Sequence, residues 1–272
     1  MVASGCDSDL DAGDAGTVWK RSRRRRERQE RLDAGFPDDW RSLCEQRFRW
    51  YRTLDAEQLT RFERRVLEMV LDVSWEPARD FEITDEMRVT IASLAQLVVL
   101  ELPEGALGRV HAVIVHPTTI VMEGEHSQVD GVVSDEPTEI LGEAVDGGPI
   151  LLAWDEVVDD VRHPRRGRNV VIHEFAHVVD MLDGVVDGTP PITDPDAAQR
   201  WIRVCTEIFE QVVEGRAGHV LDPYAGVNPG EFFAVASEAF FCDPLGLHRE
   251  HPDLFAEFLA VYGLDPRAWV VR

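Results

Sequence analysis

The sequence predicts an α/β (α+β) fold in which helices surround a small mixed sheet, with further helices on the N-terminal side and a disordered arm before them. Two observations predict this class. Apolar residues recur at helical spacing over much of the chain, and short runs rich in β-branched residues alternate with Gly- and Asp-rich turns. A chain of 272 residues can also bury a sizeable core. We therefore expect a flexible arm over residues 1–35 and one domain over residues 36–272, with a helical part (36–100) and a core part (101–265).

The predicted arm differs from the rest of the chain in charge. Residues 1–16 are rich in Asp, Gly, Ala and Ser, which favours disorder, and a basic run follows over residues 20–28. We expect this run to be solvated, although it could also bind nucleic acid, an anionic surface or the protein's own acidic body. The arm has a net charge of +1, so the formal charge of −23 leaves −24 on the remainder. Such an acidic body argues against nucleic acid and membranes as main partners.

Helices are predicted at residues 38–51, 55–72 and 85–100, and again at 194–214 and 251–262. The second of these has the clearest helical spacing of apolar residues, at Leu59, Phe62, Val66, Leu67 and Val70.

Three β-like runs are predicted between the two groups of helices, at residues 110–115, 119–122 and 150–154. The last of these comes shortly before the helix that carries the most informative motif of the chain.

That motif is H-E-x-x-H, formed by His173, Glu174 and His177 within residues 169–180. Two histidines four residues apart leave one face of a helix, so both imidazoles can bind one metal ion, and imidazole suits zinc. Glu174 lies beside that face, close enough to act on a metal-bound water. The remaining residues are strongly apolar, which predicts a buried helix whose polar face needs partners. The alternative is a core helix whose histidines only form hydrogen bonds with their neighbours.

Three acids are candidates for the third protein ligand that such a zinc site normally has. Asp180 lies on the same helix face as the histidines. Asp183 would require the helix to break at position 180, where aspartate lacks the conformational freedom of glycine. Glu231 is favoured, because it shares one face of a second apolar helix (228–241) with Glu238, and buried carboxylates need cations or donors. The alternative is that Glu231 is only an acid in a first helical turn, stabilised by the helix dipole. Glu238 would pair with an imidazole N–H or a backbone donor.

These motifs resemble those of the Mlc-titrating-factor (MtfA) zinc peptidases, whose fold and zinc site are similar to the catalytic domain of anthrax lethal factor. The resemblance rests on residues 148–155, 173–180, 222–225 and 229–241, in that order along the chain, and extends over residues 36–265. It implies a zincin-like metallopeptidase domain, with 101–265 as its catalytic core and one Zn²⁺ per chain.

The resemblance also implies roles for individual residues: zinc bound by His173, His177 and Glu231, with Glu174 as general base and Tyr224 steadying the oxyanion. Glu174 would take a proton from the attacking water and deliver it to the leaving amine.

Three further expectations concern the surroundings of this site. Asp180 is expected to orient a ligand imidazole. Strand 150–154 is expected to pair with a peptide backbone by strand addition, with a plain core strand as the alternative. The basic loop 162–168 is expected to offset acidic neighbours, with contact to a peptide carboxylate as the alternative.

The expected function is therefore zinc-dependent hydrolysis of a peptide or protein substrate, with aminopeptidase activity suggested by the family. The family also suggests a sugar-responsive transcriptional repressor as partner. One alternative is a non-catalytic, zinc-containing regulator that sequesters a protein partner, and another is a metal-free structural domain. We expect a cytoplasmic location with reduced thiols, because the four cysteines show no C-x-x-C spacing and no signal peptide or bilayer-spanning segment is predicted.

Overall fold

The computed structural model describes residues 12–122, 126–127, 133–134, 138–140, 142–144 and 148–270, with side chains over 22–119, 148–164 and 166–270. Its helices are α1 Ala12–Ala34, α2 Asp38–Arg47, α3 Ala56–Asp72, α4 Asp85–Val98, α5 Trp154–Arg162, α6 Val170–Asp180, α7 Pro195–Val213, α8 Pro229–Cys242, α9 Pro244–Glu250 and α10 Pro252–Tyr262. Its strands are β1 Ser74–Pro77, β2 Ala112–His116, β3 Ile120–Met122, β4 His126–Ser127, β5 Val133–Ser134, β6 Thr138–Ile140, β7 Gly142–Ala144 and β8 Ile150–Ala153.

The main sheet has the order β1-β2-β8-β7. β1, β2 and β8 are parallel, and β7 pairs with β8 in the antiparallel direction. The sheet is therefore small and mixed, and helices pack around it, with α5 and α6 both lying against β8. This confirms the predicted fold class.

The N-terminal segment differs from our expectation, because residues 12–34 form helix α1 rather than a flexible arm. The guanidinium of Arg28 donates to both oxygens of Asp72 on α3, at 2.5 and 2.6 Å, which attaches this helix to the body. Charged pairs spaced four residues apart in the basic run favour a helix. The prediction of disorder gave the composition of the segment more weight than this spacing. The prediction for residues 1–11 lies outside the described residues.

The helix predicted over 38–51 is two elements, because Phe48 adopts an extended conformation (φ −116°, ψ 107°) after α2. A short 3-10 helix, Arg49–Thr53, then places Trp50 and Tyr51 in the core. The ring of Trp50 lies 5.3 Å from that of Phe62, between centroids, so the break in the helix lets an aromatic side chain reach α3.

Strand 150–153 is an interior strand and not the exposed edge that we expected to pair with a peptide. It has β2 on one side and β7 on the other, so its backbone is paired in both directions where those strands run. Among the described residues, β7 is the edge strand on this side of the sheet, and it lies against α6. The prediction of peptide docking at 150–154 is therefore wrong.

Helices α6 and α8 pack directly against each other and form the centre of the core. Every residue of α6 is buried except His173 and His177, which are partly exposed. In α8, residues 232–241 are all buried, and the aromatic rings among them contact those of α10. Because both helices are held on nearly all sides by apolar contacts, the few polar side chains that they carry have fixed positions.

One stabilising contact outside this core gives a testable pH effect. The backbone N–H groups of His219 and Val220 donate to Glu250 at 3.0 and 3.2 Å, and Arg249 donates to its other oxygen. The hydrogen bond from His219, followed by that from Arg249, lowers the pKa of Glu250 from 4.5 to about 2. A lowered carboxylate pKa contributes stability above the unfolded pKa and loses it as the pH falls through the folded pKa.

We therefore expect Glu250→Gln to lower the free energy of unfolding by about 1–2 kcal/mol at neutral pH, as expected for lost charge-assisted hydrogen bonds. The difference from the wild type should shrink as the pH falls from 4.5 towards about 2. Urea unfolding at several pH values measures it. Glu207→Gln on α7 is the control, since Glu207 is exposed. A difference that is independent of pH would contradict the assignment.

No helix within the described residues is both long enough and apolar enough to cross a bilayer.

Candidate metal centre

The first turn of α6, which leads into the site, is held by three side chains. Asn169 is the N-cap, and its side-chain oxygen accepts the N–H of Ile172 at 3.0 Å. Asp160 of α5 accepts the N–H of Val170 at 2.8 Å, and Glu238 of α8 accepts the N–H of Asn169 itself at 2.5 Å. Three side chains thus satisfy backbone donors that a buried helix start would otherwise leave without partners. This fixes the direction of α6 relative to α8.

Three donor atoms converge one to two turns further along. The Nε2 atoms of His173 and His177 are 3.2 Å apart, and Glu231 Oε2 lies 3.0 Å from the first and 3.6 Å from the second. These three residues form a group whose ligand atoms all lie within 4.8 Å of one another. Atoms that bind zinc tetrahedrally at about 2.0–2.1 Å are separated by roughly 3.3 Å, so the observed spacing fits a shared ion.

The protonation of His173 strengthens this fit. Its Nδ1 lies 2.8 Å from Glu238 Oε1, and a carboxylate can only accept, so Nδ1 carries the proton. In the neutral ring Nε2 is then an acceptor, yet it faces a carboxylate oxygen of Glu231 and the second imidazole. Acceptors in such contact require a cation or an additional proton between them. The residues present therefore suit a bound metal cation.

The pKa values of the same groups indicate a site for positive charge. Burial by itself lowers the pKa of His173, but hydrogen bonds to Glu231 and Glu238 outweigh it and raise the pKa well above its usual value. Burial likewise opposes ionisation of Glu231, but its hydrogen bonds to His173 and His177 lower its pKa to about 2. Glu231 is therefore ionised over the whole neutral range.

Glu174 lies beside the donor group and is shielded from solvent. Its side chain is buried, and one carboxylate oxygen, Oε2, has no hydrogen-bond partner among the described residues. Burial raises the pKa of Glu174 to about 7, against the influence of the two histidines. A carboxylate with a free oxygen and a pKa near neutrality can both accept and release a proton.

Tyr224 lies near His173, in a short 3-10 helix, Pro223–Gly226, that precedes α8. The ring centroids of Tyr224 and His173 are 6.3 Å apart, and the tyrosine is about half exposed. Burial of part of the side chain, followed by the charges of Glu231 and Glu174, raises the pKa of Tyr224 to about 12. The phenol therefore stays protonated at neutral pH and can donate a hydrogen bond at the mouth of the site.

The two other candidate ligands lie outside the donor group. Asp183 is exposed and accepts the N–H of Val185. Asp180 is buried, and its carboxylate accepts the N–H of Gly188 at 3.0 Å. Its expected role in orienting a ligand imidazole is not supported by a hydrogen bond, and Glu238 occupies that role for His173 instead. Asp180 connects the end of α6 to the loop that precedes α7.

Sequence reasoning missed two residues at the start of α6. Asn169 could have been found, since it is a preferred N-cap residue directly before an apolar helix. Asp160 gave no comparable signal, because the helix that carries it was not predicted. The basic loop behaves as expected in part: Arg166 pairs with Asp159, and Arg168 pairs with Glu156 at 2.8 Å.

A family model for the glucose-regulated metallo-peptidase M90 matches residues 19–263. The chain belongs to this family. The match also includes most of α1, so the M90 family extends further towards the N-terminus than the resemblance seen in the motifs. Because the M90 family consists of metallo-peptidases, a metal ion is expected in the protein, and the His173, His177 and Glu231 group is a possible site for it.

Individual relatives agree with the M90 assignment. An uncharacterized protein of Synechocystis sp. is 32% identical over 235 residues, which is 85% of this chain and 86% of that protein. Mlc titration factor A of Pectobacterium atrosepticum is 35% identical over 197 residues, 71% of this chain and 74% of the relative. The protein of the same name from Edwardsiella ictaluri is 34% identical over 196 residues, with 70% and 74% covered. The chain is thus similar to the Mlc titration factors over most of its length.

The bond between Glu238 and His173 leads to a prediction about metal affinity. Glu238→Gln replaces a carboxylate, whose two oxygens both accept, with a neutral amide that has a single acceptor oxygen. The imidazole of His173 therefore becomes a weaker donor to the metal, and the amide cannot accept from both His173 and the N–H of Asn169. We expect a metal affinity about 10- to 100-fold lower, with the fold retained. Competition with a chromophoric chelator measures the affinity, and circular dichroism checks the fold. An unchanged affinity would mean that this hydrogen bond does not tune the histidine.

Proposed function

We propose that the protein is a zinc-dependent peptidase, with zinc held by His173, His177 and Glu231. The observation that carries the proposal is the convergence of these three donors at spacings of 3.0, 3.2 and 3.6 Å. Two imidazoles and one carboxylate are a donor set found in zinc peptidases, and they leave a position for water or substrate. Membership of a metallo-peptidase family supports the same conclusion.

Each side chain then has a distinct role. Bound zinc would supply Lewis-acid polarisation of the scissile carbonyl and acidify the attacking water. Glu174 takes the proton of that water on its unpartnered oxygen and transfers it to the leaving amine. The hydroxyl of Tyr224 donates to the oxyanion of the tetrahedral intermediate, a contact that is stronger in the transition state than in the ground state.

The substrate on this proposal is a peptide in extended conformation. Within the described part of the chain, β7 is the edge strand beside α6, so a peptide backbone could be added to it as a further strand that leads towards the metal donors. The proposal also includes aminopeptidase activity, a preference for substrates with a free N-terminus, which the family resemblance suggests. It places the protein in the cytoplasm.

A second candidate is a regulator that keeps zinc for structure and binds a protein partner. The observation that favours it is the name of the relatives, Mlc titration factor A. On this reading the partner of the chain is a transcriptional repressor, and hydrolysis is not required. The two functions are compatible, since a partner can bind outside the metal site.

The direct test of the peptidase is removal and return of the metal. We expect the purified protein to contain one zinc per chain and to hydrolyse a library of aminoacyl and internally quenched peptides. A chelator should abolish this hydrolysis, and one equivalent of zinc should restore it. Elemental analysis gives the stoichiometry. A zinc-loaded protein that cleaves none of the library but binds a repressor would favour the regulator instead.

A further inference from the structure

A cavity lies beside the first turn of α6, and none of the three donor residues lines it. It has a volume of about 860 Å³, and its wall includes Asn169 and Ile172 of the first turn of α6. Cavities of this size are typical of small-molecule sites. Because His173, His177 and Glu231 do not line it, a ligand in this cavity would not compete directly for the metal.

The inner wall is aromatic and apolar. Trp50, Leu97, Phe241 and Trp269 all line the cavity and are buried. The rings of Phe241 and Trp269 are nearly parallel, with 10° between their planes and 6.1 Å between their centroids, and Trp50 lies 6.2 Å from Trp269. Trp50 is tilted by 45° against Trp269, so the three rings form an angled aromatic wall suited to an aromatic or aliphatic group.

The outer wall remains open and apolar. Leu245 and Val270 line the same cavity with 44% and 39% of their surface exposed. They belong to a small set of large apolar side chains that stay this exposed among the described residues. This cavity combines a buried aromatic wall with exposed apolar side chains. Binding of an apolar group that displaces water from it is therefore favourable in free energy.

The charges around the cavity are basic, in contrast to the chain as a whole. Four arginines and two aspartates line it, whereas the whole chain carries −23. Both aspartates are engaged: Asp160 accepts a backbone N–H of α6, and Asp243 caps α9. Two of the arginines, Arg49 and Arg162, are exposed and have no hydrogen-bond or ion-pair partner within the described part of the chain.

We propose that this cavity binds a small organic acid, a molecule with one carboxylate and a bulky apolar body. The carboxylate would pair with Arg49 and Arg162, for which a planar guanidinium is well suited, and the apolar body would lie on the rings of Trp50 and Trp269. A small ligand with one negative charge interacts mainly with the arginines that line the cavity. A large acidic partner would also meet the repulsion of the remaining acidic surface, so the charge distribution favours a small ligand.

Isothermal titration of the zinc-loaded full chain with 4-phenylbutyrate tests the proposal, with 4-phenylbutyramide as the uncharged control. We expect the acid to bind with one site per chain and the amide to bind at least about tenfold more weakly, since it forms no charge-assisted hydrogen bonds. The double variant Arg49→Glu/Arg162→Glu should weaken binding of the acid by a similar factor. Leu245→Ala, which shortens the apolar wall without changing the charge, should also weaken it.

The matched control is Arg52→Glu, because Arg52 is exposed in the same 3-10 helix as Arg49 but does not line the cavity. It should bind the acid like the wild type, and thermal unfolding should show that all variants are folded. Equal binding to the wild type and the double variant would place the acid elsewhere, for example at the metal, and would overturn the proposal. So would absence of binding of the acid to the wild type. None of these outcomes depends on peptide hydrolysis.

Discussion

Replacing Glu174 with glutamine is expected to reduce peptide hydrolysis by roughly 100- to 10,000-fold, the range that a positioned general acid–base contributes. The amide has nearly the shape of the carboxylate but cannot accept the proton of the attacking water. Because Glu174 does not belong to the donor group of His173, His177 and Glu231, the variant should keep its metal. Initial rates on the best peptide of the library, with zinc measured on the same sample, give both quantities.

The control is Glu210→Gln, since Glu210 is exposed on α7. It should hydrolyse the peptide at the wild-type rate. A Glu174 variant that keeps both its zinc and full activity would exclude the proposed base. A variant that loses hydrolysis but retains binding of a repressor would separate the catalytic function from the regulatory one.

Replacing Glu231 with alanine is expected to have the largest effect on the metal itself. It removes the carboxylate oxygen that lies 3.0 Å from His173 Nε2 and leaves two imidazoles with no third protein donor. The loss of affinity should exceed the roughly 100-fold upper end expected for a residue that only supports a ligand. Zinc content after dialysis against a weak chelator measures it, and hydrolysis should be lost in parallel.

Asp183→Ala is the matched control for this experiment, because Asp183 is the competing candidate that follows the histidine motif in sequence. It is exposed and, among the residues that the structure describes, accepts only the N–H of Val185, so its removal should leave the zinc content unchanged. If Asp183→Ala lost its zinc and Glu231→Ala kept it, the assignment of the third ligand would be reversed.

The proximity of His173, His177 and Glu231 can be predicted from the sequence because much of the information is local. His173 and His177 are one helical turn apart, so any helix brings them together, and Glu231 lies in a helix too apolar to leave the core. The contact between the two helices then follows from burial. Glu238 was also predicted to pair with an imidazole or a backbone donor, and it does both.

Two of the failures concern information that is not local. Whether 150–153 is an edge strand depends on the partner strand Gly142–Ala144, whose sequence of Gly, Glu and Ala has little β preference. The role of Asp160 depends on its helix lying beside the first turn of α6. Neither fact can be read from residue spacing, since both arise from tertiary packing.

The fastening of α6 by distant side chains has a consequence for folding kinetics. Glu238 is 69 positions from Asn169 along the chain, and Glu231 is 58 positions from His173. Contacts of such long sequence separation form only after loop closure. A nascent chain in which only α6 has formed therefore contains two of the three proposed metal donors. On the proposed function, hydrolytic capacity would therefore arise only once α8 docks. A protease assembled in this order cannot attack its own unfinished chain during synthesis.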